Sequence, residues 1–330
     1  MKNLIKILII LLISYFITGC SNKTLTVRTL YPSDIEKEKV NSIKIERLQN
    51  DDINQTENIA DRIANKFIDN QRVFTLKNDI FGTDAILNGE VINSSLNISN
   101  YHREEIDYSR CRFYAYDERN RRNDCIRYEI RFIPCERRDY NVSTNIRLIK
   151  PIENRIIFSK RYDRSNYDDI CFDHSYYGYN QRVPTDARIV NSQLASDIAN
   201  EVINDISPHY VYFNVAIIEE LDDDNPIYTK DHKNRFEYVV KLMTAKNLDL
   251  AKTQLEVLGQ ELGFRSFEIN YNLALIYEAY GELARANNLY SQTRLITQNI
   301  DYLKLVNDGI NRTSINIEEK IKARSQLPFK

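Results

Sequence analysis

Between residues 42 and 218, apolar and polar side chains alternate in several runs, and this period of two constrains the fold more than any other feature. In the clearest run, at 126–132, every second residue is apolar and the residues between are Arg or Glu. Successive side chains of a strand point to opposite faces, so the run predicts a strand with one buried and one solvated face. Similar runs at 85–91 and 142–148, and a hairpin at 146–159, predict a mostly antiparallel sheet.

Two amphipathic helices are predicted beside this sheet. Apolar residues recur at a spacing of about four at 59–67 and again at 194–206. That spacing gives each helix one apolar stripe that can pack on a sheet. We therefore expect residues 39–220 to form an α+β domain with two packed helices.

Parts of this region resemble a known family. The segments 39–45, 73–76 and 83–91, with Gly89 and Val91 in the last, are similar to the periplasmic domain of curli-secretion-type lipoproteins. That domain in turn resembles the N-terminal domain of the Tol-system propeller protein. In curli-type pores, amphipathic hairpins enter the membrane. The polar stretch 93–124 offers no apolar face for this, so we expect no pore.

The first twenty residues have the pattern of an export signal. Lys2 and Lys6 flank the start of an apolar run at 7–17, which is shorter than the ~20 residues that a spanning helix needs. The ending Gly19-Cys20 resembles a bacterial lipoprotein signal, which implies cleavage before Cys20 and its acylation, for example with palmitate. We expect a signal peptide at 1–19 and a lipidated tether at 20–38. Ser21, in place of Asp, favours the outer membrane, facing the periplasm.

Cysteine usage agrees with export. The four cysteines after Cys20 are Cys111, Cys125, Cys135 and Cys171. An even number in an exported protein predicts two disulfides, and four cysteines allow three pairings. We favour Cys111–Cys125 with Cys135–Cys171, although the sequence cannot choose among the three. No C-x-x-C pair is present, which disfavours zinc.

From about residue 233 the pattern becomes helical. Residues 270–293 resemble a tetratricopeptide repeat, with packing and turn residues at Leu273, Ala274, Tyr277, Gly281, Ala286 and Tyr290. A degenerate copy lies 35 residues upstream, and 301–324 would supply a capping element. The resemblance implies an all-α tetratricopeptide-like domain at 221–330; the alternative is an ordinary helical hairpin.

Repeats of this kind usually bind peptides in a concave groove. The groove would lie near Tyr271, Leu275 and Glu278. Family members that bind a terminal carboxylate use Lys and Asn where this chain has Tyr271 and Leu275. We therefore do not expect that particular mode of peptide binding.

No catalytic motif is present. The chain lacks G-x-S-x-G, P-loop and H-E-x-x-H patterns. His174, with Asp168 and Asp173, lies in a loop rich in such residues, so we expect no metal, no cofactor and no enzymatic activity. Asn54 and Asn141 each begin an Asn-x-Ser/Thr triplet, and an Asp lies two residues before each of them, as in bacterial N-glycosylation acceptors. The sequence leaves open whether these two asparagines are modified.

These features together predict a lipid-anchored periplasmic adaptor that mediates protein–protein interaction in envelope assembly or secretion. The alternative is a subunit of an oligomeric curli-like secretion complex of the outer membrane. A third interpretation is an enzyme built on the loop around His174. The net charge of −2 and the absence of basic tracts give no nucleic-acid footprint. The partner and the oligomeric state cannot be deduced from the sequence.

Overall fold

The computed structural model describes residues 23–35, 38–116, 119, 122–172 and 184–328. They form two compact units, each assembled from segments distant in sequence. The helical unit contains the described residues up to Pro32 together with His209–Ser325. The sheet unit contains Ser33–Pro208 together with Gln326 and the described residues after it. This division differs from the predicted boundaries at residues 38 and 220.

The described elements follow one another with strands and helices interspersed. In chain order they are β1 (Thr24–Tyr31), β2 (Ser42–Ile45), α1 (Gln55–Ala64), β3 (Phe67–Ile68), β4 (Gln71–Arg72), β5 (Thr75–Leu76), β6 (Ala85–Tyr116), β7 (Arg122–Lys150), β8 (Arg155–Cys171), α2 (Ala187–Ile206), β9 (His209–Ala216), α3 (Lys230–Thr244), α4 (Leu248–Glu261), α5 (Phe267–Ala279), α6 (Leu283–Arg294) and α7 (Ile300–Gln326).

The sheet unit is built on a mixed sheet with the strand order β5-β2-β6-β7-β8. β6 and β8 both run antiparallel to β7, whereas β2 runs parallel to β5 and β6. β3 and β4 form a separate two-residue hairpin.

The two helices of the sheet unit bury most of the apolar stripes that the spacing predicts. α1 buries Ile59 and Ile63, but it ends at Ala64, and Phe67, predicted to continue the stripe, lies in β3 and is 49% exposed. α2 packs on α1, β7 and β8, and its buried stripe includes Leu194, Ile198, Val202 and Ile206. The core of the unit therefore lies between the antiparallel part of the sheet and this helix pair.

β6 and β7 approach each other closely at Gly89. A Cβ built on Gly89 would lie 2.0 Å from the backbone oxygen of Asn145 on β7. No side chain fits at that distance, so only glycine allows the two strands to pair here. A register shift between Val91 and Asn93 follows two residues later.

We expect Gly89→Ala to destabilise the sheet unit by about 3 kcal/mol, because the added methyl must push two paired backbones apart. Urea denaturation measures the change. Gly82→Ala is the matched control: Gly82 has φ +70°, and a Cβ at this position would have nothing within 4 Å. Only the cost of a left-handed backbone, about 1 kcal/mol, is therefore expected for the control. Equal losses in the two variants would show that the close approach at Gly89 is not the cause.

The helical unit has a two-stranded sheet as part of its core. β1 and β9 pair antiparallel from Thr24↔Ala216 to Tyr31↔His209. Leu25 and Val27 of β1 and Val215 of β9 are buried in the same apolar cluster as the residues of α3–α7. The segment expected to be a polar tether thus supplies a strand whose alternate residues are buried.

The predicted fold class is therefore wrong for the C-terminal third. Its helices do not form an all-α tetratricopeptide-like domain, because β1 and β9 belong to the same unit. The large sheet is also mixed, with β2 parallel to both of its neighbours. The physical reason is the short alternation at 24–31, in which Leu25 and Val27 are buried between exposed Thr24, Thr26 and Arg28.

A buried ion pair joins α5 to α7. The Nε and Nη2 atoms of Arg312 donate to the two carboxylate oxygens of Glu278 at 2.6 and 2.8 Å, and the Glu278 side chain is 1% exposed. The Tyr290 hydroxyl donates to the same carboxylate at 3.1 Å. Burial opposes the charge of Arg312, but the hydrogen bonds to Glu278 outweigh it and raise the pKa of the guanidinium. Arg312 therefore stays charged at every ordinary pH.

We expect Arg312→Met to destabilise the helical unit by about 3–5 kcal/mol, because it leaves the Glu278 carboxylate buried without a cation. Adding Glu278→Gln should recover much of this loss, since a neutral amide still accepts from Tyr290. Urea denaturation of both variants and of Glu278→Gln completes a double-mutant cycle. Lys241→Met, which breaks the exposed pair with Glu237, should leave stability nearly unchanged. Independent, additive losses at Arg312 and Glu278 would refute the coupling.

Among the described helices, none combines the length and the apolar character that crossing a bilayer requires.

Candidate functional site

A groove runs along one face of α5 in the helical unit. Its floor consists of Asn270, Leu273 and Tyr277, which share a helix face because they are three and four residues apart. α4 and the turn after it form one wall, and α6 with the residues after it forms the other. The cavity has a volume of about 630 Å³, within the usual size of a ligand site. Its wall residues are Glu256, Gln260, Phe264, Arg285, Asn288, Leu289, Gln292 and Ile296.

One end of the groove is charged but balanced. The Arg285 guanidinium lies 3.9 Å from the centroid of the Tyr277 ring, and the Lys252 ammonium lies 5.4 Å from it. The Tyr277 hydroxyl donates to Glu256 at 2.8 Å. Burial, followed by this bond, raises the pKa of Tyr277 to about 12. The tyrosine therefore stays protonated at neutral pH, and its ring and hydroxyl are fixed from both walls.

The other end is rich in side-chain amides. Asn270 is 3% exposed, and its Nδ2 donates to the backbone oxygen of Phe264 at 2.8 Å. Its Oδ1 is buried and accepts no hydrogen bond from any residue that the structure describes. Gln260, Asn288 and Gln292 add amides from the two walls.

Phe264 is held in an unusual backbone conformation at this end. Its φ is +53°, a left-handed value that bulky residues rarely adopt. The Phe264 N–H donates to the Gly259 carbonyl at 2.7 Å. Its ring occupies the place of a Gly259 side chain, since a Cβ there would lie 2.6 Å from Cε1. Phe264 is 43% exposed, so the turn presents an aromatic surface to the groove at a cost in backbone strain.

This arrangement is suited to binding. The groove combines apolar surface with amides that can each donate and accept, and its ionic groups, Glu256 and Arg285, are already paired with neighbouring side chains. No group of three or more potential metal ligands occurs among the described residues.

The residues predicted to line a groove lie on a different face of α5. Tyr271, Leu275 and Glu278 are at most 1% exposed, although Tyr271 also lines a second cavity, of about 490 Å³, with Leu305, Asp308 and Arg312. The Tyr271 hydroxyl donates to the backbone oxygen of Ala216 on β9, and Glu278 binds Arg312. The groove lies instead on the face of α5 that carries Asn270, Leu273 and Tyr277.

The predicted packing residues are placed together. Leu273, Ala274, Tyr277, Ala286 and Tyr290 are all buried in the helical unit, and Gly281 forms the turn after α5 with φ +75°. This placement fits a helical hairpin, and membership of a tetratricopeptide repeat stays a prediction.

A second surface of interest is a β-ribbon in the sheet unit, defined as residues 102–116 of β6 and 122–134 of β7. β8 ends at Cys171, which pairs with Cys135 of β7. Beyond this pair, the ribbon residues pair only with each other among the described strands. The fifteen residues of β6 in the ribbon span about 50 Å. Most of the polar stretch 93–124 is therefore paired strand, with register shifts between Asp107 and Tyr116.

The ribbon has two unlike faces. Ile106 and Ile130 are paired directly, and with Phe132 they are about half exposed on one face. The prediction of a buried apolar face at 126–132 is therefore wrong, because no other described strand covers this part of the ribbon. The rings of Tyr108 and Tyr128 lie 5.0 Å apart. The opposite face carries the directly paired Glu105 and Arg131, which form an ion pair at 2.9 Å. The apolar face cannot be recognised from the polar stretch 93–124, because most of the apolar residues of that face belong to β7.

Two disulfides join the strands of this region. Cys111 bonds to Cys125 within the ribbon, and Cys135 bonds to Cys171 at the end of β8. This is the pairing favoured from the sequence among the three. Each bond links neighbouring strands, so the ribbon is fastened at its base and again toward its tip.

Other predicted sites fall in different places. Cys20, Asp173 and His174 lie outside the described residues. Asn54 is exposed with φ +59°, directly before α1. Asn141 lies within β7 and is paired on both sides, to Ser95 and Ser165. Asn54 is thus the more exposed of the two asparagines.

Comparisons with known proteins add no assignment: the models of known protein families that were scanned do not match this chain, and a search of curated proteins gave no match.

We expect the two disulfides to contribute unequally to stability. Cys135→Ser/Cys171→Ser removes a link between residues 36 apart in sequence and should cost roughly 3–4 kcal/mol. Cys111→Ser/Cys125→Ser should leave the unfolding midpoint of the sheet unit almost unchanged, because ribbon residues pair only with one another. Urea denaturation, with intact mass to verify the remaining bond, measures both. A larger loss from the Cys111–Cys125 pair would show that the ribbon folds with the core.

Proposed function

We propose that this chain is a lipid-anchored adaptor that binds a partner protein in the groove along α5. Cys20 holds it in the outer membrane, facing the periplasm. The observation that carries the proposal is the groove itself, about 630 Å³ in volume, with paired charges and amides from its floor and both walls. The two disulfides support an oxidising compartment.

The groove favours binding over chemistry. Its ionisable groups are Glu256, Arg285 and the Tyr277 hydroxyl, and the tyrosine is bound to the glutamate while the arginine covers its ring. A catalytic base or nucleophile needs an accessible reactive atom close to its activating partner. The other groups of the walls are amides and apolar side chains, which are typical of recognition surfaces.

A photo-crosslinking residue introduced at Gln292 tests the proposal in intact cells. Gln292 is exposed on the groove wall, so we expect a discrete adduct with an envelope protein. The matched control is the same residue at the exposed position Gln298, outside the groove, which should give none. Cys20→Ala should abolish both membrane association and the adduct. Absence of an adduct at Gln292, or an identical pattern at Gln298, would reject the groove as the binding site.

The ribbon favours a second candidate, a subunit of an oligomeric curli-like secretion complex. Among the described residues, β6 beyond Val91 pairs on one side only, and β8 pairs only with β7. Long unpaired edges of this kind can accept a strand from another chain. The domain resemblance noted for residues 39–91 points in the same direction.

Native mass spectrometry of the detergent-extracted protein separates the two functions. A discrete high-order assembly that dissociates when a proline replaces Leu96 or Ile98, whose main-chain groups face the open edge of β6, would support the secretion complex. A monomer with an intact crosslink at Gln292 would support the adaptor alone.

A further inference from the structure

We propose that the groove binds an extended peptide through its main chain, with one apolar side chain of that peptide against Phe264. The inference rests on the proposed adaptor function and specifies what the groove recognises. Four side-chain amides, those of Asn270, Gln260, Asn288 and Gln292, line the same cavity from its floor and both walls.

The amides match the chemistry of a polypeptide backbone. Each carries both donors and an acceptor, and a peptide main chain offers an N–H and a C=O at every residue other than proline. Asn270 adds a directional argument. Its Nδ2 is bound to the Phe264 carbonyl, whereas its buried Oδ1 accepts no hydrogen bond from the described residues. An unmet buried acceptor is costly, and a peptide N–H would satisfy it.

The occupant has to be extended, because a helix already uses its main-chain groups internally. The floor from Asn270 to Tyr277 covers seven helical steps, or about 10 Å, which is the length of about three extended residues. The groove therefore binds a short linear segment.

The charges of the groove argue against an acidic or basic ligand. Arg285 is 3.4 Å from Glu282, and Lys252 is 4.0 Å from Glu256. These partners neutralise one another, so no net charge is available to select a charged peptide. Selectivity then comes from shape at the neutral end, where Phe264, Leu289 and Ile296 supply apolar surface.

A library of displayed random octapeptides, selected on the full mature chain in detergent, provides the probes. We expect enriched peptides to share one apolar position and little else. Replacing single backbone N–H groups by N-methyl should lower affinity at least tenfold at two or three consecutive positions. Alanine at positions other than the apolar one should change affinity less than threefold.

Two protein variants complete the test. Asn288→Ala/Gln292→Ala should weaken binding at least tenfold, and Gln298→Ala/Asn311→Ala, which removes two exposed amides outside the groove, should leave it unchanged. Binding that survives every N-methylation, or no peptide enriched over the Asn288→Ala/Gln292→Ala variant, would overturn the main-chain mode. If the main-chain mode is overturned but the crosslink at Gln292 is still formed, the adaptor function stands. If that crosslink is also absent, the adaptor function and the main-chain mode are both rejected.

Discussion

The buried bond between Glu278 and Arg312 fixes the element on which the helical unit is organised. α5 lies between α4, α6, α7 and β9, and all of its residues from Phe267 to Glu278 are buried. The ion pair fastens α5 to α7 on one side, and the short approach of Gly309 to the Tyr290 ring lets α7 come close enough for it. Because one face of α5 is held in this way, its opposite face can serve as the rigid floor of a groove. A site built on a fixed helix keeps its geometry better than one built on loops.

Much of the sheet unit could be predicted from sequence because its signals are local. The alternation at 142–148 and the apolar stripe of α2 each depend on a few neighbouring residues, and both are buried as predicted. The alternation at 126–132 predicted a strand correctly, but most of its apolar side chains are exposed, not buried. The ribbon could not be derived in this way. Its apolar face combines Ile106 and Tyr108 of β6 with residues of β7, and only the register of the pairing brings them together. Strand β1 was missed because Leu25 and Val27 are too few to outweigh the polar residues between them.

The groove escaped prediction for a different reason. A repeat-like pattern identifies which residues pack, but not which face of a helix stays open. Since α5 is apolar or buried almost all round, its sequence offers no polar face that would mark the groove. Two residues mark the groove in the structure. The buried Oδ1 of Asn270 accepts no hydrogen bond from the described residues, and Phe264 has a left-handed backbone that places its ring over Gly259. The Gly259 and Gly263 pair around this turn is the sequence signal that could have drawn attention to it.

Main-chain recognition by a short groove has an energetic consequence for the proposed adaptor. A segment of about three residues buries little surface, and its ordering entropy opposes binding, so the affinity of one groove is modest. Anchoring changes this balance. When Cys20 confines the chain to a membrane that also holds the partner, both are restricted to one thin layer, and the effective concentration rises without any new contact. A weak, sequence-tolerant groove is then sufficient for a membrane-bound adaptor, and the same groove in a freely diffusing protein would bind too weakly to select a partner.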